Sequence, residues 1–252
     1  MNEFLNYQTL RSYAYSNDKL VKSTARGLVI QFHGCNDTDT FDDDLKGAVL
    51  DKNKTHAQKW GEFYADKGIF YLIPYSTPWN WLYNGTVEFI DDLVSVLLKK
   101  YNLNNLPIAL SGISMGGQGA LSYCYLSTHK SNIVSCATNC PVCDLVEHFK
   151  TSNLTRRTIL TTFYTRNNIL EKLENYSPIH NIDKLPKIKY YLFQCERDVF
   201  VDKKINAEAF VKKMKEQGFD VTYHLVANRP HLMLPKETYD LYASYIVDSL
   251  VK

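Results

Sequence analysis

Continuous apolar runs alternate with amphipathic helical patterns from Leu28 onward. The runs are LVIQF (28–32), IFYLIP (69–74), PIALSG (107–112), NIVSCA (132–137), KIKYYLFQ (187–194) and DVTYHLV (220–226). A strand that is apolar at almost every position has no solvent face, so it belongs in a sheet covered on both sides; parallel strands in such a sheet are joined by helical crossovers. The connections have that form. GTVEFIDDLVSVLLKKYNL sets Val87, Ile90, Val94, Leu97, Leu98 and Tyr101 at helical spacing and leaves Asp91, Asp92 and Lys99 outside. KKINAEAFVKKMKEQGF repeats the device with Ile205, Ala209, Phe210 and Met214 and stops at Gly218, and YDLYASYIVDSL does so with Tyr242, Ile246 and Leu250. The pattern predicts an α/β fold with a mostly parallel central sheet and helices on both faces.

Two stretches depart from the rhythm. YQTLRSYAYSNDK, residues 7–19, alternates loosely and then turns, which predicts an antiparallel strand at the sheet edge. Residues 145–186 run for some forty positions without a sheet strand where a short connection would suffice, which predicts an inserted, partly helical cap over the strand ends. No repeat, low-complexity tract or linker divides the 252 residues, so they are expected to form a single domain.

Charge and cysteine usage narrow the function classes. A net charge of +2 from 29 basic and 27 acidic residues gives no electrostatic footprint for nucleic acid. No apolar run approaches the ~20 residues of a membrane span, and the polar start MNEFLNYQTLRSYAYSNDK lacks the apolar region of a signal peptide. A soluble, cytoplasmic protein is the expectation. Six cysteines at 35, 124, 136, 140, 143 and 195 have no framework spacing and are expected to be reduced thiols. Cys140-x-x-Cys143 lacks the second pair that a zinc site would want, and the aspartates at 37, 39, 42, 43 and 44 lack the glycine and terminal glutamate of a calcium loop; the latter read as a solvated acidic loop. No metal is expected.

The third core run ends in Gly112-Ile113-Ser114-Met115-Gly116 and passes into a helical pattern. A strand-to-helix corner of this composition exposes a serine hydroxyl, and a serine is a weak nucleophile that needs a base, an acid to orient that base, and donors for the oxyanion. Each has a candidate at a strand end. His231 follows the last run in VANRPHLMLP and Asp198 follows the fifth in YYLFQCERDVFVD, giving the chain order Ser114, Asp198, His231. His33-Gly34 after the first run allows a turn that brings the Cys35 amide beside the Met115 amide as oxyanion donors. Glu196, Asp202 and Asp144 compete with Asp198 for the acid. His224 falls within a strand, and His33 reads as support for the turn rather than as the base.

With HGC after the first core strand, GISMGG at the corner, and ERD and RPH in order, the chain resembles the α/β-hydrolase superfamily over most of its length. Within it, SMGGQGA and SPIHNIDKLPKIKYYLFQCERDVFVD are similar to the esterase and lipase group near the prolyl-oligopeptidase catalytic domain. The resemblance implies a core sheet of about eight strands, a Ser-Asp-His triad and no cofactor. The expected function is hydrolysis of carboxylic esters of small molecules; a small peptidase or a thioesterase shares the same chemistry, and a catalytically degenerate binding module is the non-enzymatic alternative. The loop YSTPWNWLYNGT follows the second run, so Trp79, Trp81 and Tyr83 are candidates to face the substrate. Flat aromatics suit sugar faces or aryl groups, which tilts the expected substrate toward acyl esters of carbohydrates, acetyl or hydroxycinnamoyl.

Overall fold

The computed structural model describes residues 3–35, 49–51 and 54–251. Seven strands form one sheet: β1 (Ala14–Ser16), β2 (Gly27–Phe32), β5 (Ile69–Pro74), β6 (Ile108–Ile113), β7 (Ile133–Asn139), β8 (Lys189–Cys195) and β9 (Asp220–Val226). A separate short pair, β3 (Val49–Asp51) and β4 (Lys54–Thr55), stands outside it. The main sheet runs in the order β1-β5-β2-β6-β7-β8-β9, with β1 antiparallel to β5 and every other pairing parallel. All six core runs and the antiparallel edge strand are where the apolar patterning places them. Among the described residues the sheet has seven strands, against about eight in the family expectation, and residues 7–19 contribute one of them, β1.

The period-two alternation of each strand divides the core. Leu28, Ile30, Phe70, Leu72, Ile108, Leu110, Cys136, Tyr190 and Leu192 face one layer of helices: α2 (Asn84–Tyr101), α3 (Met115–Leu126) and α7 (Ala209–Glu216). Val29, Ile69, Tyr71, Ile73, Ala109, Ala137, Tyr191 and Phe193 face α1 (His56–Ala65) and α8 (Lys236–Leu250) on the other side. Burial of both faces explains the near-continuous apolar runs.

Two helices differ from the sequence expectation in detail. Asp91 on α2 is buried rather than outside, because its carboxylate accepts from Tyr123 Oη at 2.6 Å, Ser127 Oγ at 2.7 Å and the Thr128 amide at 2.9 Å. The helix expected across 203–219 begins as a wide π turn over Lys204–Glu208 and becomes α-helical only at Ala209. The wide turn keeps Asn206 buried, where its Oδ1 accepts from the Cys143 and Asp144 amides at 2.9 and 3.0 Å.

Residues 145–186 contain α4 (Leu145–Thr151), α5 (Arg156–Phe163), α6 (Ile169–Glu174) and two 3-10 turns, with no sheet strand. No helix of the described residues is long and apolar enough to cross a membrane. The acidic positions 37, 39 and 42–44 lie outside the described residues.

Candidate active site

The sheet topology fixes where a ligand can sit. From β2 the chain goes to β5 on one side and later returns to β6 on the other, and such a reversal opens a crevice at the carboxyl ends of the strands. Phe32 on β2 stands opposite Gly112 on β6, so the loop after β2 comes abreast of the corner after β6. Cys35 and Met115 meet there, with Sγ and Sδ 3.3 Å apart. Among the described residues no backbone acceptor takes the amide of either one.

The corner is strained. Ser114 has φ 53° and ψ −117°, a region that L-residues seldom occupy and that costs about 1–3 kcal/mol. It is held by the Ser114 amide donating to the Asn139 carbonyl at 2.9 Å and by the Ser114 carbonyl accepting from the Gly117 amide at 3.0 Å. The flanking glycines are steric requirements: a Cβ on Gly112 would lie 2.2 Å from the Gly116 carbonyl oxygen, and one on Gly116 would lie 2.2 Å from that of Phe32.

The three residues separated by 84 and 33 positions in sequence converge on this corner. His231 Nε2 lies 3.0 Å from Ser114 Oγ, and His231 Nδ1 lies 2.6 Å from Asp198 Oδ2. The side chain of Asp198 is 1% exposed and that of His231 14%. Burial pushes the Asp198 carboxyl up, but the hydrogen bond and charge of His231, with the Val201 and Phe200 amides, outweigh it and hold the group below its ordinary value. Both amides donate to Asp198 Oδ1 at 2.9 Å. The rival acids are engaged elsewhere: Asp144 Oδ1 caps α4 at the Glu147 amide, Asp202 Oδ1 accepts from the Lys204 amide and Glu196 Oε2 from the Asn228 amide. His33 is buried, its Nδ1 2.8 Å from the Gly34 carbonyl oxygen and its Nε2 2.6 Å from Ser76 Oγ, so it braces the turn before Cys35. His224 sits in β9 against the Phe193 ring.

Several contacts carry no sequence signature. Gln194, fully buried, donates from Nε2 to Asp198 Oδ2 at 3.2 Å; Asn139 Nδ2 donates to the Leu232 carbonyl beside His231 at 3.3 Å; and the Phe200 ring packs edge-on to His231. Cys140 Sγ lies within 4.8 Å of the Asp198 carboxylate and the His231 ring nitrogen. Tetrahedral ligands at ~2.0–2.2 Å from a metal ion stand about 3.3 Å apart. The 2.6 Å separation of Asp198 and His231 is instead that of a direct hydrogen bond.

Ser114 and His231 open into a cavity of about 1420 Å³, lined also by Gly34, Cys35, His56, Trp81, His148, Leu154, Val199, Phe200, Leu232 and Met233. Of the three aromatic candidates, only Trp81 lines it. Trp81 is itself buried, donates from Nε1 to Thr158 Oγ1 at 2.9 Å and packs with Met115, Ile159 and Phe163. Trp79 and Tyr83 are exposed and do not line the cavity. Their loop departs from β5, and the chain turns Trp81 inward under α5 while its neighbours point away.

No protein-family model and no curated protein sequence matches the chain. Solved structures do. Esterase B of Lactobacillus rhamnosis is 13% identical with a TM-score of 0.64, over 91% of this chain and 78% of that one. S-formylglutathione hydrolase of Agrobacterium tumefaciens is 15% identical with a TM-score of 0.62, over 94% and 86%. Acylaminoacyl peptidase of Pyrococcus horikoshii is 13% identical with a TM-score of 0.69, over 92% of this chain but only 38% of that one. Identities this low speak to architecture alone, and with the strand order and the strained serine corner they lead to one conclusion: the chain has the α/β-hydrolase fold.

Proposed function

We propose that this protein is a serine hydrolase of carboxylic esters, with Ser114 as nucleophile, His231 as base, Asp198 as orienting acid, and the Cys35 and Met115 amides as oxyanion donors. The observation that carries the reading is the pair of contacts from Ser114 Oγ to His231 Nε2 at 3.0 Å and from His231 Nδ1 to Asp198 Oδ2 at 2.6 Å, opening into a large cavity. Asp198 accepts a hydrogen bond from Nδ1–H, which fixes the tautomer and leaves the Nε2 lone pair directed at the serine. As Ser114 Oγ bonds to the carbonyl carbon, its proton passes to Nε2 and the carbonyl oxygen takes the negative charge between the two amides. Collapse of that intermediate expels the alcohol, which takes the proton from Nε2. Water then repeats the sequence on the acyl-serine and releases the acid. Loss of one oxyanion donor typically costs about 2.7–4 kcal/mol of barrier, so the strained corner that presents the Met115 amide is worth its local cost.

The same groups would cleave a thioester or an activated amide, and the structural relatives include an S-formylglutathione hydrolase and an acylaminoacyl peptidase as well as an esterase. For the narrower expectation of a carbohydrate ester, Trp81 alone of the three aromatics lines the cavity and supports the reading. Residues 145–186, which supply His148 and Leu154 to the cavity wall, are proposed to act as a cap. A fluorophosphonate probe tests the reading: covalent labelling at Ser114, lost in Ser114→Ala, supports it, and an unlabelled Ser114 in folded protein returns the chain to a binding module.

A further inference from the structure

The wall of the Ser114 cavity is poor in charge. Among the described residues no lysine or arginine lines it, and its one carboxylate, Asp202, is engaged with the Lys204 amide. An anionic substrate would find no counter-charge among the described lining residues, so recognition by them falls to neutral hydrogen-bonding groups and apolar surface. Leu154, Val199, Phe200 and Met233 provide the apolar part. The polar part includes His56 and His148, two histidines that the hydrolytic relay does not use.

His148 lies on α4, buried, with its ring 5.8 Å from that of Trp81. His148 Nε2 lies 2.9 Å from Thr155 Oγ1, and the Thr155 hydroxyl is placed to donate to Ser152 Oγ at 2.9 Å. With that donation made, Thr155 Oγ1 accepts from Nε2–H, and Nδ1 presents a bare lone pair. Nδ1 is not among the sealed polar atoms that lack a partner, and the Ser114 cavity is the space that His148 lines. Burial, with repulsion from His231, pushes the imidazole down to about 4, so it is uncharged across the neutral range. We propose that His148 Nδ1 accepts a hydrogen bond from a hydroxyl or amide N–H of an uncharged ester bound in this cavity, and so selects substrates that carry such a donor near the scissile bond. The proposal rests on Ser114 being the nucleophile of the same site.

Two matched substrate pairs test it and separate the two donor sources: 2-hydroxyethyl benzoate against 2-methoxyethyl benzoate, and N-acetylalanine methyl ester against its N-methyl analogue. The donor-bearing member of one pair is expected to have a kcat/KM about five- to tenfold higher, the usual effect of one neutral hydrogen bond. Discrimination in the first pair identifies a polyol-type alcohol, and in the second an N-acyl amino acid ester. His148→Phe should bring that ratio to about one; Thr155→Val, which keeps the ring but frees its tautomer, should lower it and serves if the first variant does not fold. Nuclear magnetic resonance titration of Ser114→Ala protein with the same esters reads the preference without turnover, so it decides the proposal even if the hydrolytic reading fails. Nitrogen shifts of His148 should report an Nε2-protonated ring. Ratios near one in both pairs, a ratio unaffected by His148→Phe, or an Nδ1-protonated ring would each overturn the proposal.

Discussion

At the scale of single residues, the candidate site depends on a serine held where few residues can sit. Ser114→Ala removes the proposed nucleophile while leaving the corner to Gly112, Gly116 and the Asn139 carbonyl; hydrolysis of p-nitrophenyl acetate is expected to fall at least about a thousandfold with little change in Tm. Turnover persisting near the wild-type rate would place the nucleophile elsewhere. Asp198→Asn should lower kcat by up to about 10⁴, the effect of losing the acceptor that fixes the imidazole tautomer. Asp144→Asn and Asp202→Asn, whose carboxylates cap backbone amides, should cost stability before rate. A larger rate loss at Asp144 would move the acid to the strand before α4. Ser114, Asp198 and His231 were legible because each stands just past an apolar run, and strand ends are where a parallel sheet gathers side chains. Gln194, Asn139 and His148 were not: Asn139 reaches the Leu232 carbonyl from a distant part of the chain, while Gln194 and His148 meet Asp198 and Thr155 through turns that carry no local pattern.

At the scale of elements, the sequence read best where one physical rule dominates. Two-sided burial wrote the core strands as apolar runs, and their order along the chain gave the parallel pairing. It read less well where a polar side chain overrides periodicity: Asn206 widens the start of its helix to reach the Cys143 and Asp144 amides, and Asp91 turns inward to the Tyr123, Ser127 and Thr128 donors. Another such network ties the amino-terminal segment to the end of α2. Asp18, buried, accepts from Tyr7 Oη at 2.6 Å, Ser16 Oγ at 2.7 Å and Tyr101 Oη at 2.8 Å, and pairs with Arg11. Burial pushes its carboxyl up, yet these hydroxyls and the Arg11 charge outweigh that and hold it below the ordinary carboxylate value. A depressed folded value means that ionised Asp18 stabilises the protein above its unfolded value of about 3.9, and that this contribution is lost as pH falls through the lower folded value. Asp18→Asn should therefore destabilise by about 2–3 kcal/mol at pH 7, with the difference from wild type shrinking below about pH 4 in denaturant titrations. A difference that stays constant with pH would show that shape, not charge, holds the segment.

At the scale of the whole molecule, the sheet and residues 145–176 are built around different hydrophobic clusters; Ile179, Ile182 and Leu185 return to a sheet cluster, and Trp81 belongs to that of residues 145–176. That cluster unites Leu145, Val146, Ile159, Phe163, Leu173 and Tyr176 with Met115 of the serine corner and Val201 beyond Asp198, whereas the two sheet clusters contain none of the α5 or α6 side chains. A unit with its own small core opens at a lower free energy than the sheet beneath it. Trp81 reaches it from the loop after β5, filling the cluster and bonding Thr158 of α5, so it pins the segment to the end of the sheet that carries Ser114. Trp81→Ala should cost about 3–5 kcal/mol by leaving a cavity at that pin, and Trp81→Phe about 1–2 kcal/mol through loss of the Thr158 bond. The losses should be local. Amide hydrogen exchange is expected to quicken first across 145–176 while β2, β6 and β7 keep their protection, and the cavity wall supplied by His148 and Leu154 should loosen with it. Substrate preference would then broaden before the sheet unfolds, because the relay of Ser114, His231 and Asp198 is carried on β6, β8 and β9 loops rather than on the segment. If exchange quickens uniformly from α5 through the central strands, the segment and sheet form one cooperative unit, and it cannot act as a separately opening cap.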